Sequence, residues 1–123
     1  MVNTEALRVY INSEMTKIFP FAGYEELSDE TGYPYISWVI NWMSGSGCGF
    51  TGIMEADAWD KTADAAELEK LCDKLCDRFN KLSHVQREFH VSISFLRRNV
   101  VEDPNPDIRR RRMQFQIKYT GGC

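Results

Sequence analysis

Three groups of side chains in this sequence are of types that could do chemistry. Cys72, Cys76 and His84 offer two thiolates and an imidazole, donors that suit zinc, but no fourth ligand stands near them in the sequence. Both cysteines also fall on the apolar side of a helical pattern, where a small thiol packs as a hydrophobe. Cys48 stands between glycines in the run GCGF and is the best candidate for a reactive thiol. It would need a base to hold it as thiolate, and His90 could serve only if folding brought it close. The surrounding glycines lack the GxxxxGK[ST] spacing of a phosphate cradle. The third group is cationic: Arg97, Arg98, Arg109, Arg110, Arg111 and Arg112 flank one loop. Guanidinium groups pair with phosphate oxygens, so a nucleic-acid contact is one reading. Glu102, Asp103 and Asp107 inside the same loop, and the lack of interleaved aromatic residues for base stacking, favour ion pairing between subunits and a solvated surface instead.

The elements that must hold these residues follow from hydrophobic spacing. Leu7, Tyr10, Ile11, Met15 and Ile18 recur at helical intervals over residues 4–18, with Asn3 or Thr4 as cap and Pro20 as stop. Residues 20–34 carry prolines, glycines and acidic groups and read as a loop. Ile36, Trp38, Ile40 and Trp42 make one face of a strand over residues 35–43, while Tyr35, Val39 and Met43 emerge on the opposite face. The run SGSGCG reads as a hairpin connection, and residues 50–59 as a weaker strand with a bulge at Gly52.

A second helix spans roughly residues 62–81, with Leu68, Leu71, Cys72, Leu75, Cys76, Phe79 and Leu82 on one side, Thr62 as N-cap, and Asp64 and Glu67 near its positive end. Its charged side, from Glu69 to Lys81, reads as a solvated face. Phe89, Val91, Ile93 and Phe95 alternate with polar residues, and Arg111, Met113, Phe115, Ile117 and Tyr119 do the same. Between these strands, residues 98–109 hold two prolines that forbid regular pairing at the tip and read as a long projecting loop. The expected fold is α+β: two helices packed on one face of a mostly antiparallel four-stranded sheet in the order α-β-β-α-β-β, with a long C-terminal hairpin loop.

Composition sets limits on function. A chain of 123 residues fits one domain, 1–123. A net charge of −3 gives the whole molecule no electrostatic reason to seek DNA or an anionic membrane. No apolar run approaches the roughly 18 residues of a membrane span, and the N-terminus lacks a signal-like stretch. A cytosolic product is therefore expected, with Cys48, Cys72, Cys76 and Cys123 as free thiols. No metal or cofactor site is expected, and no enzymatic constellation of acid, base and nucleophile is present.

The layout resembles the tail terminator proteins of long-tailed bacteriophages and the related minor capsid group. The residues that carry the resemblance are the strand YPYISWVINW, the strand end EADAWDK with Asp57, Trp59 and Asp60, the helix beginning TADAAELEKL, and the closing strand MQFQIKYTG. Other ring proteins of the phage neck share this plan. The resemblance implies a virion protein at the tail-neck junction, a hexameric ring that sits on the last ring of tail tube protein, stops tube growth and offers a surface to the head connector. Genome DNA would pass through the lumen without sequence-specific binding. On this reading Tyr35, Val39 and Met43 contribute to subunit contacts, and the loop with Arg98, Val100, Val101, Glu102, Asp103, Ile108 and Arg109 meets tube or connector. The alternatives are another neck or head-completion ring protein, or a small nucleic-acid-binding or adaptor module.

Overall fold

A computed structural model describes residues 4–25, 32–61 and 65–121. The element order is α1 (Glu5–Thr16), β1 (Phe21–Tyr24), β2 (Tyr35–Ser46), β3 (Gly49–Lys61), α2 (Ala66–Phe79), β4 (Leu82–Gln86), β5 (Phe89–Val101) and β6 (Ile108–Gly121). All six strands form one mixed sheet in the order β1-β2-β3-β6-β5-β4. This corrects the expected four-stranded α-β-β-α-β-β plan: the protein is mostly β, and two short edge strands extend the sheet. One of them, β1, runs parallel to β2, while the other pairings are antiparallel.

The helices form where the apolar spacing predicts them. In α1 the stripe Leu7, Ile11 and Met15 is buried, and the helix ends before Pro20. Thr4 occupies the cap position without a side-chain cap bond. In α2 the stripe is Leu68, Cys72, Leu75 and Phe79. Ala65 stands at its cap, and the expected cap Thr62 and first-turn Asp64 lie outside the described residues, as do Asn3 and Cys123. Both stripes meet the inner sheet face in one core cluster that includes Ile36, Trp38, Met54, Val91, Ile93, Met113, Phe115 and Ile117.

The hairpin strands are longer than the sequence pattern suggests. Because β5 continues to Val101 and β6 begins at Ile108, only residues 102–107 form the connecting loop, so the expected long projecting loop is instead a β5–β6 arm built into the sheet, with β6 paired to β3 as far as Lys61 and Ile108. Pro104 and Pro106 are confined to its tip, where their missing N–H groups cost no ladder bonds. Asp103 Oδ1 and Asn105 Oδ1 tighten the turn by accepting the backbone N–H of Asn105 at 3.0 Å and of Asp107 at 2.9 Å. The register irregularity between Trp42 and Ser44 sits on β2, opposite Gly52. A Cβ at Gly52 would lie 2.6 Å from the Asn41 carbonyl oxygen, so the bulged strand approaches too closely for any larger residue.

One buried carboxylate ties the helices together. Glu14 is 7% exposed and accepts hydrogen bonds from Arg78 Nε of α2 at 2.9 Å and Lys17 Nζ at 3.1 Å. Arg78 also donates to the Tyr10 hydroxyl at 3.2 Å. The Arg78 bond holds the Glu14 carboxyl below its ordinary value of 4.5, against the opposing effect of burial. A carboxylate favoured in the folded state stabilises the fold above its unfolded pKa, and that contribution is lost as pH falls through the lowered folded value. The wild-type protein should therefore lose on the order of 1 kcal/mol on acidification from about pH 5 to about pH 3 that Glu14→Gln does not lose. Urea midpoints of both proteins across that range check this; parallel curves would contradict it.

Candidate functional surfaces

Strand alternation decides what the arginine cluster does. Arg98 and Arg111 point to the helix side. Arg98 gives Nη2 to Glu69 at 2.8 Å and Nη1 to Asp73 at 2.9 Å, and Arg111 Nε pairs with the other Glu69 oxygen. Arg110 and Arg112 point to the opposite face. There Arg110 Nη2 meets Asp57 at 3.1 Å, while Arg112 Nε meets Asp57 at 2.9 Å and Glu55 at 3.4 Å. The Arg110 guanidinium also lies over the Trp59 ring, 4.8 Å from its centre, and Trp59 stacks on Tyr35 at 4.9 Å. At least four of the six clustered arginines are thus joined to carboxylates of this chain. They fasten the arm to α2 on one side and brace the outer sheet face on the other.

The sequence-derived contact residues fall on two places. Tyr35, Val39 and Met43 lie on the outer face of β2, with Tyr35 half-buried under its aromatic neighbours and Met43 71% exposed. Burial also pushes the Tyr35 hydroxyl pKa upward. The second set belongs to the arm. Val100 is 70% exposed and Glu102 exposed, whereas Val101, Asp103, Ile108 and Arg109 are half-buried and Arg98 is held by α2. Ile53 and Trp59 on β3 add apolar groups to the outer face; in the sequence Trp59 stands out only through the family resemblance, and Ile53 is not singled out. Their period-2 spacing with the buried Met54, Ala56 and Ala58 is the signal that could have found them.

The candidate chemical groups are not brought together. Cys72 is buried and its thiol is pushed up to about 12 by that burial. Cys76 lies 4.0 Å from Arg98 Nη1, and burial raises it as well. His84 stacks on Tyr10 at 3.8 Å and has Nε2 3.0 Å from Gln86 Oε1. Among the described residues no group of three potential ligands could hold a metal ion. Cys48 is disulfide-bonded, which corrects the expectation of four free thiols and removes the thiolate a nucleophile would need. His90 Nε2 instead lies 3.0 Å from Ser83 Oγ. A groove of about 650 Å³ runs between α1 and the β4–β5 turn, bordered by Glu5, Val9, Tyr10, Gln86 and Glu88. Among the described residues no helix is long and apolar enough to cross a membrane.

No protein-family model matches the chain, and no curated protein sequence matches it. Its fold does match solved structures. A protein from the virion of a native gene transfer agent particle overlays with a TM-score of 0.71 at 15% identity, over 94% of this chain and 91% of that one. A second solved structure overlays with a TM-score of 0.72 at 8% identity, over 96% of each chain. At such identities the likeness is one of fold.

Proposed function

We propose that this chain is a structural subunit of a phage-like virion, forming a ring, hexameric in our reading, at the head-proximal end of the tail. There it stops tube polymerisation and provides the surface for head joining. The observation that carries this reading is the near full-length fold match to a gene transfer agent virion protein, in which neither chain leaves a large unmatched part. The sequence resemblance to tail terminators supports the same position.

In this reading the chain works by shape and carries out no reaction. Its partners are copies of itself, the tail tube protein and the head connector or stopper protein; DNA traverses the lumen without sequence-specific contact, and no membrane is involved. Tyr35, Val39 and Met43 contribute to subunit contacts because apolar groups gather there, beside Ile53 and Trp59 of β3, on the outer face. The arm tip, with Glu102 and Asp103 exposed or half-exposed beyond Val100, Val101 and Ile108, reaches tube or connector. Internal pairing of Arg98, Arg110, Arg111 and Arg112 leaves that part of the arginine cluster little capacity for phosphates, which weighs against a nucleic-acid-binding module.

The test is imaging of particles made without this protein. Overlong tubes are expected, restored to normal length by the wild-type chain. Tubes of normal length with unattached heads would move the assignment to another ring of the neck.

A further inference from the structure

The two flanks of the sheet have complementary outlines. On one flank β1 covers β2 only from Tyr35 to Trp38, so that no strand among the described residues pairs with the outer edge of β2 from Val39 to Ser46. On the other flank β4 covers β5 only from Phe89 to Ile93, so that no strand among the described residues pairs with the edge of β5 from Ser94 to Val101. The register shows that these short strands occupy different levels. Tyr35, Trp59, Arg110 and Val101 share one rung, and Trp38, Ala56, Met113 and Arg98 another, so β1 spans the arm end of the sheet. Trp42, Gly52, Ile117, Ile93 and Leu82 share a third rung, and Ser46, Gly49, Thr120, His90 and Val85 a fourth, so β4 spans the opposite end.

We infer that neighbouring copies meet through these flanks in a stepped lap joint, β1 of one copy beside the open edge of β5 in the next, and β4 of that copy beside the open edge of β2. The inference rests on the ring reading above and names its contact. Two copies placed side by side without sliding along the strands bring each short strand to the level of the gap it fills. In that placement β1 runs antiparallel to β5 and β4 runs parallel to β2, and both arrangements form regular ladders. An unpaired edge is a template for another chain, and folded proteins cover or blunt such edges.

The exposed apolar side chains mark the same two flanks. Phe21, Tyr33, Met43, Val85, Leu96 and Val100 are each at least 40% exposed, and they stand on or beside β1, β2, β4 and β5. Among the described large exposed hydrophobic residues only Val9 lies elsewhere, on α1, and none lies on the central strands β3 and β6. Phe21 is level with Val101, while Met43 falls between the levels of Leu82 and Ser83 at the start of β4 and Val85 is level with Ser46. The occupant is a second copy because one partner must supply a strand at both levels, and this chain carries both. The flanks differ from each other, so the contact is heterologous and repeats by rotation, as a ring requires.

Cysteine cross-linking of the full chain tests the joint. An equimolar mixture of Phe21→Cys and Val101→Cys should give a disulfide-linked species at twice the 14.3 kDa subunit mass under mild oxidation, as should Ser44→Cys with Ser83→Cys, each pair sharing one rung and one face of the sheet. Each variant alone should give none, and the double variant Phe21→Cys/Val101→Cys should give a ladder of higher multiples. Light scattering on the same samples reports assembly independently. Cross-linking by a single variant alone would show a two-fold contact and overturn the joint. An assembled preparation without mixed cross-links would overturn the joint and leave the ring standing, whereas a concentrated sample that remains at 14.3 kDa would remove both.

Discussion

Replacing Trp38 with alanine is expected to cost about 3–5 kcal/mol, a large fraction of the roughly 5–15 kcal/mol that holds a domain of this size together. Trp38 is 1% exposed and stands where three elements meet. Its ring meets Tyr24 of β1 edge-on at 4.8 Å, and its indole Nε1 donates to Asn12 Oδ1 of α1 at 2.9 Å. Truncation therefore opens a cavity in the core and frees β1 and α1 from β2 together. Trp38→Phe keeps most of the volume and loses the hydrogen bond, so it should fall between wild type and Trp38→Ala. Asn12→Ala leaves the buried indole N–H without its partner, at a cost of about 1–3 kcal/mol. Urea unfolding of the three variants gives the order; a Trp38→Ala protein as stable as wild type would mean that this junction is not part of the core.

The same residue shows what the sequence made legible. Trp38 follows from period-2 spacing with Ile36 and Ile40, just as the stripes of α1 and α2 follow from spacing of three and four. These local patterns place side chains on faces, and the inner face is built as they indicate. They do not carry pairing. The strand β1 is the four residues FAGY directly after Pro20, too short for any alternation to register, and it exists because β2 offers it a parallel edge far along the chain. The edge strand β4 escaped for a related reason: LSHVQ carries few strand-forming residues, and its turn at Arg87 and Glu88 contains neither glycine nor asparagine. The prolines at 104 and 106 misled in the other direction, since their local effect was extended to residues that the sheet recruits.

The arginine cluster was visible as composition and opaque as structure, because alternation splits neighbours in sequence between two faces and only the register names their partners. That split gives the second large expected effect. Glu69→Ala should destabilise the protein by about 2–3 kcal/mol, between an exposed ion pair at about 0–1 kcal/mol and a buried one broken at about 3–5 kcal/mol. The Arg111 side chain is 11% exposed and that of Arg98 25% exposed, and Glu69 gives one carboxylate oxygen to each. Without Glu69, Arg98 keeps Asp73 as a carboxylate partner, while Arg111 keeps the Arg110 carbonyl and little else to offset its burial. The loss should therefore be local as well as global, with faster amide exchange in residues 98–101 and 108–112 than in the β2–β3 ladder. Lys70→Ala provides the contrast, since the Lys70–Glu67 pair is 69% and 76% exposed and its removal should change stability by under about 0.5 kcal/mol. Equal costs for the two variants, or uniform exchange across the sheet in Glu69→Ala, would show that α2 does not hold the arm. The turn that ends the arm can present a fixed tip to a partner only if its base is rigid. The carboxylate of Glu69 is thus where the fold's stability and its proposed contact with a neighbouring ring depend on the same atoms.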